Sequence, residues 1–217
     1  MTLRPYADGF GEPEIDRFYA WARDGEVTAL SGGTTLALPP DRFRQLFLER
    51  MPQRNSEREQ QFAILDETGE LIGRTGLFAL EPRSRVAELG IMIGQKERWG
   101  QAYGRDAVRT LCAFGFDDLG LERIVLFTFP TNKRAQRCFS AVGFRAVRKV
   151  RRLTLESGVR TEIEMDLTPP RLASTDEALA DGGQEQGAYG RDHPVAPDGG
   201  VLPHEPDVRG ERAGLEP

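Results

Sequence analysis

This 217-residue sequence predicts an α/β domain with a mixed central sheet, closer to α+β than to a doubly wound parallel sheet. Three observations carry that expectation. Short β-rich runs bounded by turn signals fill the middle of the chain, two amphipathic helical patterns precede them, and helices alternate with strands after them. The resulting order is β-α-α-β-β-β-α-β-α-β-β, which is not βαβ throughout, and no internal repeat is present.

The elements follow from local pattern. Leu3-Arg-Pro-Tyr6 reads as a short first strand, with Pro5 marking an edge or an end. From Glu12 to Arg23, Ile15, Phe18, Tyr19 and Ala22 share one helical face, and Pro13 sits near the start, where proline is tolerated. Ser31-Gly-Gly33 and Pro39-Pro40 punctuate a loop. A second helix runs from about Asp41 to Arg50 on Phe43, Leu46 and Phe47, with Asp41 available as its cap. Gln61–Leu65 and Leu71–Phe78 form a meander through Asp66-Glu-Thr-Gly69, and Val86–Ile93 is its third strand. Asp106–Leu119 is helical, with Val108, Leu111, Cys112, Gly115 and Phe116 on the buried face. Arg123–Phe129 is a strand and Asn132–Ala141 a helix. Gly143–Val150 and Arg160–Leu167 close the domain as a hairpin through Ser157-Gly158.

Composition divides the chain at residue 168. Residues 169–217 carry four arginines against ten acids, and 15 of those 49 residues are Gly or Pro. Such a segment cannot bury enough apolar area to offset ordering entropy, so 169–217 reads as a disordered acidic tail and 1–168 as the folded domain. The formal charge of −5 therefore sits in the tail, and the domain has no charge balance suited to nucleic acid. No 18-residue apolar run or signal-peptide core occurs, so a cytoplasmic protein without membrane contact is expected. Cys112 and Cys138, on apolar helix faces, read as core thiols in a reducing compartment. Neither a Cys-x-x-Cys nor a His pair stands at ligand spacing, so no metal is expected. Both histidines, His193 and His204, lie in the tail. A histidine-based nucleophile arrangement inside the domain is thereby excluded, and any general base there is a carboxylate or water.

The most informative segment is Ala87-Glu-Leu-Gly-Ile-Met-Ile-Gly94 followed by Trp99-Gly-Gln-Ala-Tyr-Gly-Arg-Asp-Ala107. An apolar strand ends in a small-residue turn that opens a helix, which exposes backbone N–H groups at the positive end of a helix dipole. The N–H groups of about Gln101 to Arg105 can converge on a pyrophosphate, small residues at Gly100, Ala102 and Gly104 let the anion approach, and Arg98 and Arg105 can add charge-assisted contacts. The rival reading is a merely tight strand-to-helix turn. A dinucleotide loop fails for want of Gly-x-Gly-x-x-Gly and a following βαβ repeat.

Over about residues 2–167 the order and motifs resemble the GNAT superfamily of acetyl-CoA-dependent N-acetyltransferases, and most closely its RimJ/RimL-like branch. The carriers are Glu88–Ile93, the loop Trp99–Gly104, Asn132 and Gly143-Phe144. The family loop Gln/Arg-x-x-Gly-x-Gly/Ala falls on Trp99-Gly-Gln-Ala-Tyr-Gly104, where Trp in first place is usual for that branch and Ala102 replaces the middle glycine. The resemblance implies a splayed strand pair and a cytoplasmic acyltransferase that moves an acetyl group to a peptide N-terminus or a small-molecule amine. It also implies that Ile91, Met92, Ile93, Arg98, Trp99, Gly100, Gln101, Ala102, Tyr103, Gly104, Arg105, Asn132 and Phe139 hold acetyl-CoA. Backbone groups of Ile91–Ile93 would bond the pantetheine and polarise the thioester carbonyl. Asn132 would contact pantetheine, cap its helix, or do both.

Glu88 is the candidate base, acting through water, with a salt-bridged strand residue as its rival reading. Phe139 stands where many relatives place a proton-donating Tyr. That leaves the acid role unassigned and keeps open a catalytically weak acyl-CoA sensor on the same scaffold. Tyr19, Trp21, Asp24 and Glu26 either line the amine cleft or pack and face solvent. Relatives often dimerise, so a homodimer is a further expectation of the resemblance.

Overall fold

The computed structural model describes residues 1–50, 54–81, 83–154 and 158–172. Most of the acidic tail, both histidines and the turn residue Ser157 therefore lie outside the described residues.

Eight strands form one sheet in the order β1-β3-β4-β5-β6-β8-β7, with β2 pairing β3 off that path. They are β1 (Thr2–Pro5), β2 (Asn55–Ser56), β3 (Glu59–Leu65), β4 (Leu71–Glu81), β5 (Val86–Ile93), β6 (Arg123–Thr128), β7 (Arg145–Thr154) and β8 (Gly158–Leu167). Among the described residues, only β5 and β6 run parallel; every other pair is antiparallel. The helices are α1 (Glu12–Arg23), α2 (Gly25–Ser31), α3 (Pro40–Arg50), α4 (Tyr103–Asp117) and α5 (Lys133–Ser140). The mixed sheet with flanking helices agrees with the expected fold class.

Alternation along the strands sends one set of side chains to each face. Phe62, Leu77 and Leu89 pack with Val108, Leu111 and Cys112 of α4 and with Phe139 of α5. On the opposite face Ala63 and Leu71 meet Ile15, Phe18, Trp21, Val27, Phe43 and Phe47 of α1–α3. The Phe18 ring contacts Trp21 edge-on at 5.4 Å and lies 5.1 Å from Phe47.

Several element boundaries differ from the sequence expectation. The loop after α1 contains α2, capped by the Asp24 carboxylate, which accepts from the Glu26 and Val27 N–H groups at 2.9 and 3.2 Å, and ended by Gly32 at φ +82°. Only Val27 of its seven residues is buried, so no apolar period revealed it. The third helix starts at Pro40, which puts Asp41 inside the first turn rather than at the cap. Strand β7 continues to Thr154 through a run of basic residues that shows no apolar alternation.

Residues 169–172 continue the packed chain. Pro169–Arg171 form a 3-10 turn, Arg171 meets Asp166 at 3.0 Å, and Leu172 packs against the α4-side core. Gly143, at φ +112°, makes this close approach possible, since a β-carbon there would lie 1.8 Å from the Arg171 carbonyl oxygen.

Candidate active site

The parallel pair β5–β6 lasts only three rows, Val86↔Arg123, Ala87↔Ile124 and Glu88↔Val125. Beyond Glu88 the strands part, although β5 runs on to Ile93 and β6 to Thr128. The gap opens into a cleft of about 920 Å³ lined by Leu89–Ile93 on one side, Leu126–Thr128 on the other, and the 98–105 loop with α5 at one end. Ile91, Met92 and Ile93 stand at the splay.

At the loop, Gly100 (φ +78°) and Ala102 (φ +65°, ψ −6°) both adopt the left-handed conformation, and the chain turns directly into α4 at Tyr103. Helix α4 therefore begins three residues earlier than its apolar pattern suggests. Nothing lies within 4 Å of a β-carbon built on Gly100, and one on Gly104 would make ordinary contact with Cys138 Sγ at 3.7 Å. The Trp99 indole donates to the Ile93 carbonyl at 2.8 Å, and the Arg134 guanidinium stacks 4.0 Å above its ring.

Two loop residues are placed differently from expectation. Arg98 borders the cleft, but its guanidinium is held by the buried Asp66 at 2.5 Å and by Glu70 at 3.6 Å. Its structural work is to clamp the β3–β4 turn to the loop, joined by the Tyr103 hydroxyl bonding Glu67. Gln101 is exposed, lies off the cleft lining and bonds the Glu97 carbonyl through its side chain. Arg105 does border the cleft, with its Nε buried and lacking a hydrogen-bond partner, as do Arg134 and Arg137 of α5. Those two were legible only as a basic helix start.

Asn132 caps α5, its Oδ1 accepting from the Ala135 N–H at 3.1 Å, and it lines the cleft as well. Phe139 is buried against Phe144 with an edge on the cleft. Cys138 also lines the cleft, and burial pushes its thiol up to about 11, which keeps it protonated and unreactive at neutral pH.

Glu88 is ion-paired. Arg152 of β7 grips both its oxygens, at 3.1 and 3.2 Å, while stacking 3.8 Å over the Phe127 ring and reaching Glu162 at 3.5 Å. Burial pushes the Glu88 carboxyl above its ordinary range, and Arg152 pulls it partly back. Neither Arg152 nor Glu162 was singled out in sequence. The signal was present: Glu162, Glu164 and Asp166 alternate on β8 beside a basic β7, the pattern of cross-strand ion pairing, and Arg148 and Arg123 do hold Glu164 at 2.8 and 3.0 Å.

The candidate amine-cleft residues on the first helices lie elsewhere. Trp21 packs onto Gly94, the Tyr19 hydroxyl bonds the Leu38 carbonyl, and Lys96 pairs with Asp24 at 2.8 Å and with Glu26 at 3.4 Å. In their place the C-terminal end of α2 borders the cleft with Gln61, Arg54 and Arg74. The closing hairpin reaches this wall through Arg160, which donates to the Gly32 carbonyl at 3.0 Å.

A family model described as an acetyltransferase (GNAT) domain matches residues 1–145. The chain belongs to the GNAT acetyltransferase family. A Bacillus subtilis (strain 168) relative named as an uncharacterised N-acetyltransferase, YoaA, is 32% identical over 92 residues, 42% of this chain and about half, 51%, of the relative. A Caenorhabditis briggsae N-acetyltransferase 9-like protein is 25% identical over 185 residues, 80% of this chain and 85% of its own. Among solved structures, spermidine N-acetyltransferase from Vibrio cholerae, in complex with CoA and spermine, superposes with a TM-score of 0.65 at 18% identity, over 78% of this chain and 96% of that one. At that identity the likeness speaks to the GNAT fold alone. Among the described residues no helix is long and apolar enough to cross a membrane, and no His, Cys, Asp and Glu side chains group as a metal site.

Proposed function

We propose that this GNAT protein is an acetyl-CoA-dependent N-acetyltransferase acting on a primary amine. The observation that carries the reading is the splay of β5 from β6 directly beside a small-residue loop and the N-terminus of a 15-residue helix. Acetyl-CoA, when bound, supplies the thioester that the acceptor nitrogen attacks, with CoA thiolate as leaving group.

The residues present fit that cosubstrate. Open space at Gly100, the converging N–H groups before α4, the buried Arg105 Nε that makes no hydrogen bond and the Arg134 and Arg137 guanidiniums suit a pyrophosphate. The separated edge of Leu89–Ile93 offers backbone groups to an amide-bearing pantetheine arm and a donor toward a developing oxyanion. Asn132, whose Oδ1 caps α5, contributes its Nδ2 donor. Glu88, held in orientation by Arg152, takes the proton of the incoming ammonium through water, and its raised pKa brings it nearer the proton it must accept. Phe139 offers no proton, so the thiolate is reprotonated from solvent.

The Trp99 loop supports a place in the RimJ/RimL-like branch, and the two unpaired thiols support a reducing cytoplasmic setting. The test is thiol release from acetyl-CoA across a panel of primary amines, peptide N-termini included. CoA binding without turnover on any amine would instead favour an acyl-CoA-responsive sensor, the reading that a buried Phe139 supports.

A further inference from the structure

The cleft floor on the α1–α3 face of the sheet carries opposite charge at its two ends. One end is the row that pairs Phe78 of β4 with Glu88 of β5, and the other is the row that pairs Arg74 with Met92. Four residues of strand separate them, about 13 Å. Between them Gly76 faces Gly90 with the Phe78 ring lying over both, so a β-carbon on Gly90 would sit 2.9 Å from that ring. The floor between the two ends is therefore the uncharged Phe78 ring lying over two glycines.

At the Glu88 end two carboxylates, Glu88 and Glu162, share the single guanidinium of Arg152. Glu162 is 9% exposed, and its Oε2 is buried without a hydrogen-bond partner. At the other end Arg54 borders the cleft, flanked by Arg50, Arg74 and Glu59, and Gln61 donates to Glu59. Arg54 is 8% exposed, and its Nε is likewise buried without a partner. Burial and the Arg74 charge both press against its protonated form, while burial keeps Tyr6 neutral beside it. The intervening Met51-Pro52-Gln53 adds no acid. A buried charged group with an unsatisfied polar atom is unfavourable until a partner of opposite sign arrives.

We infer that the acceptor is a zwitterionic amine, whose nitrogen docks between Glu88 and Glu162 and whose anionic group, within about 13 Å, docks on Arg54 beside Arg74. The inference rests on the acetyl-transfer reading above and narrows its substrate class. A linear polycation would set its second charge against Arg54, whereas a carboxylate or phosphate satisfies the free Arg54 Nε–H.

The test uses the full chain, acetyl-CoA and diglycine to tetraglycine, each against its C-terminal amide, with spermidine as the cationic comparison. Amine and carboxylate in these peptides lie about 7–14 Å apart when extended. The expected result is a kcat/KM at least tenfold higher for the best free acid than for its amide, with spermidine below both. Arg54→Gln should bring that ratio near one by raising KM of the acid. Independently of turnover and of the variant's folding, the matching N-acetylglycine peptide, and not its amide, should raise the melting temperature of the wild-type protein. Equal rates for acid and amide, a preference for spermidine, or equal thermal protection by the two products overturns the inference. Turnover without a carboxylate preference removes this inference alone; CoA binding with no turnover at all removes the reading beneath it.

Discussion

Ala102 gives the most direct test of the loop geometry. Its backbone sits at φ +65°, ψ −6° immediately before α4. For an L-residue with a β-carbon that conformation costs about 1–2 kcal/mol relative to the right-handed region, and glycine escapes the cost. Ala102→Gly removes the strain but restores about 0.4–1 kcal/mol of freedom to the unfolded chain. The difference predicts a net gain of about 0.5–1 kcal/mol. For a domain of this size that is a rise in melting temperature of about 1–4 °C. Urea unfolding should show a higher midpoint at an unchanged slope, because the surface exposed on unfolding is the same. Calorimetric CoA affinity should change by less than about twofold, since the N–H groups at the start of α4 keep their directions. Ala102→Val should move stability the other way. A glycine variant that melts below wild type refutes the left-handed placement of residue 102 and, with it, the cradle built on that turn.

Five further outcomes follow from the structure. Glu88→Gln should lower kcat by about 10²–10⁴-fold with CoA affinity kept, as measured by thiol release and calorimetry; an unchanged rate would remove Glu88 as the base. Burial raises the Glu88 carboxyl and Arg152 opposes that rise, so Arg152→Met should shift the acidic limb of the kcat/KM profile to higher pH. The same raised pKa means that the stability Glu88 contributes is fully present below its unfolded value and is lost as pH rises through its folded value, which urea midpoints across pH 4–8 will read. Arg134→Ala should weaken CoA binding about tenfold by removing one charge-assisted contact. Gly94→Ala places a β-carbon 2.1 Å from the Trp21 ring and should cost about 1–3 kcal/mol in urea unfolding.

Much of the sheet was legible because β3, β4 and β5 are β-rich runs set off by turn signals, and the Asp66–Gly69 turn marks the β3–β4 hairpin. The cleft loop was legible for a different reason: small residues between an apolar strand and an amphipathic helix leave backbone donors exposed whatever the tertiary context. The acceptor side was not legible. Tyr19, Trp21, Asp24 and Glu26 look polar and available in sequence, yet Asp24 caps a helix too short to show a period and Trp21 fills the space that Gly94 leaves. Arg54, between α3 and β2, and Arg152 of β7 reach the cleft from segments distant in sequence from Glu88, so only the folded chain reveals them. Arg98 shows the converse. Its position matched a phosphate ligand, but a buried aspartate 32 residues away claims it.

Trp99 and Trp21 are the only tryptophans in the chain, and their surroundings differ. Trp21 is enclosed in the helical core, while Trp99 lies on the cleft with its indole N–H tied to Ile93 and a guanidinium against its ring. A cation over an indole quenches and shifts emission, so whatever draws Arg134 toward a phosphate changes the fluorescence of one residue and leaves the other as an internal standard. Occupancy of the nucleotide end of the cleft is therefore optically readable in the unlabelled protein, and Trp21→Phe isolates the reporting emitter.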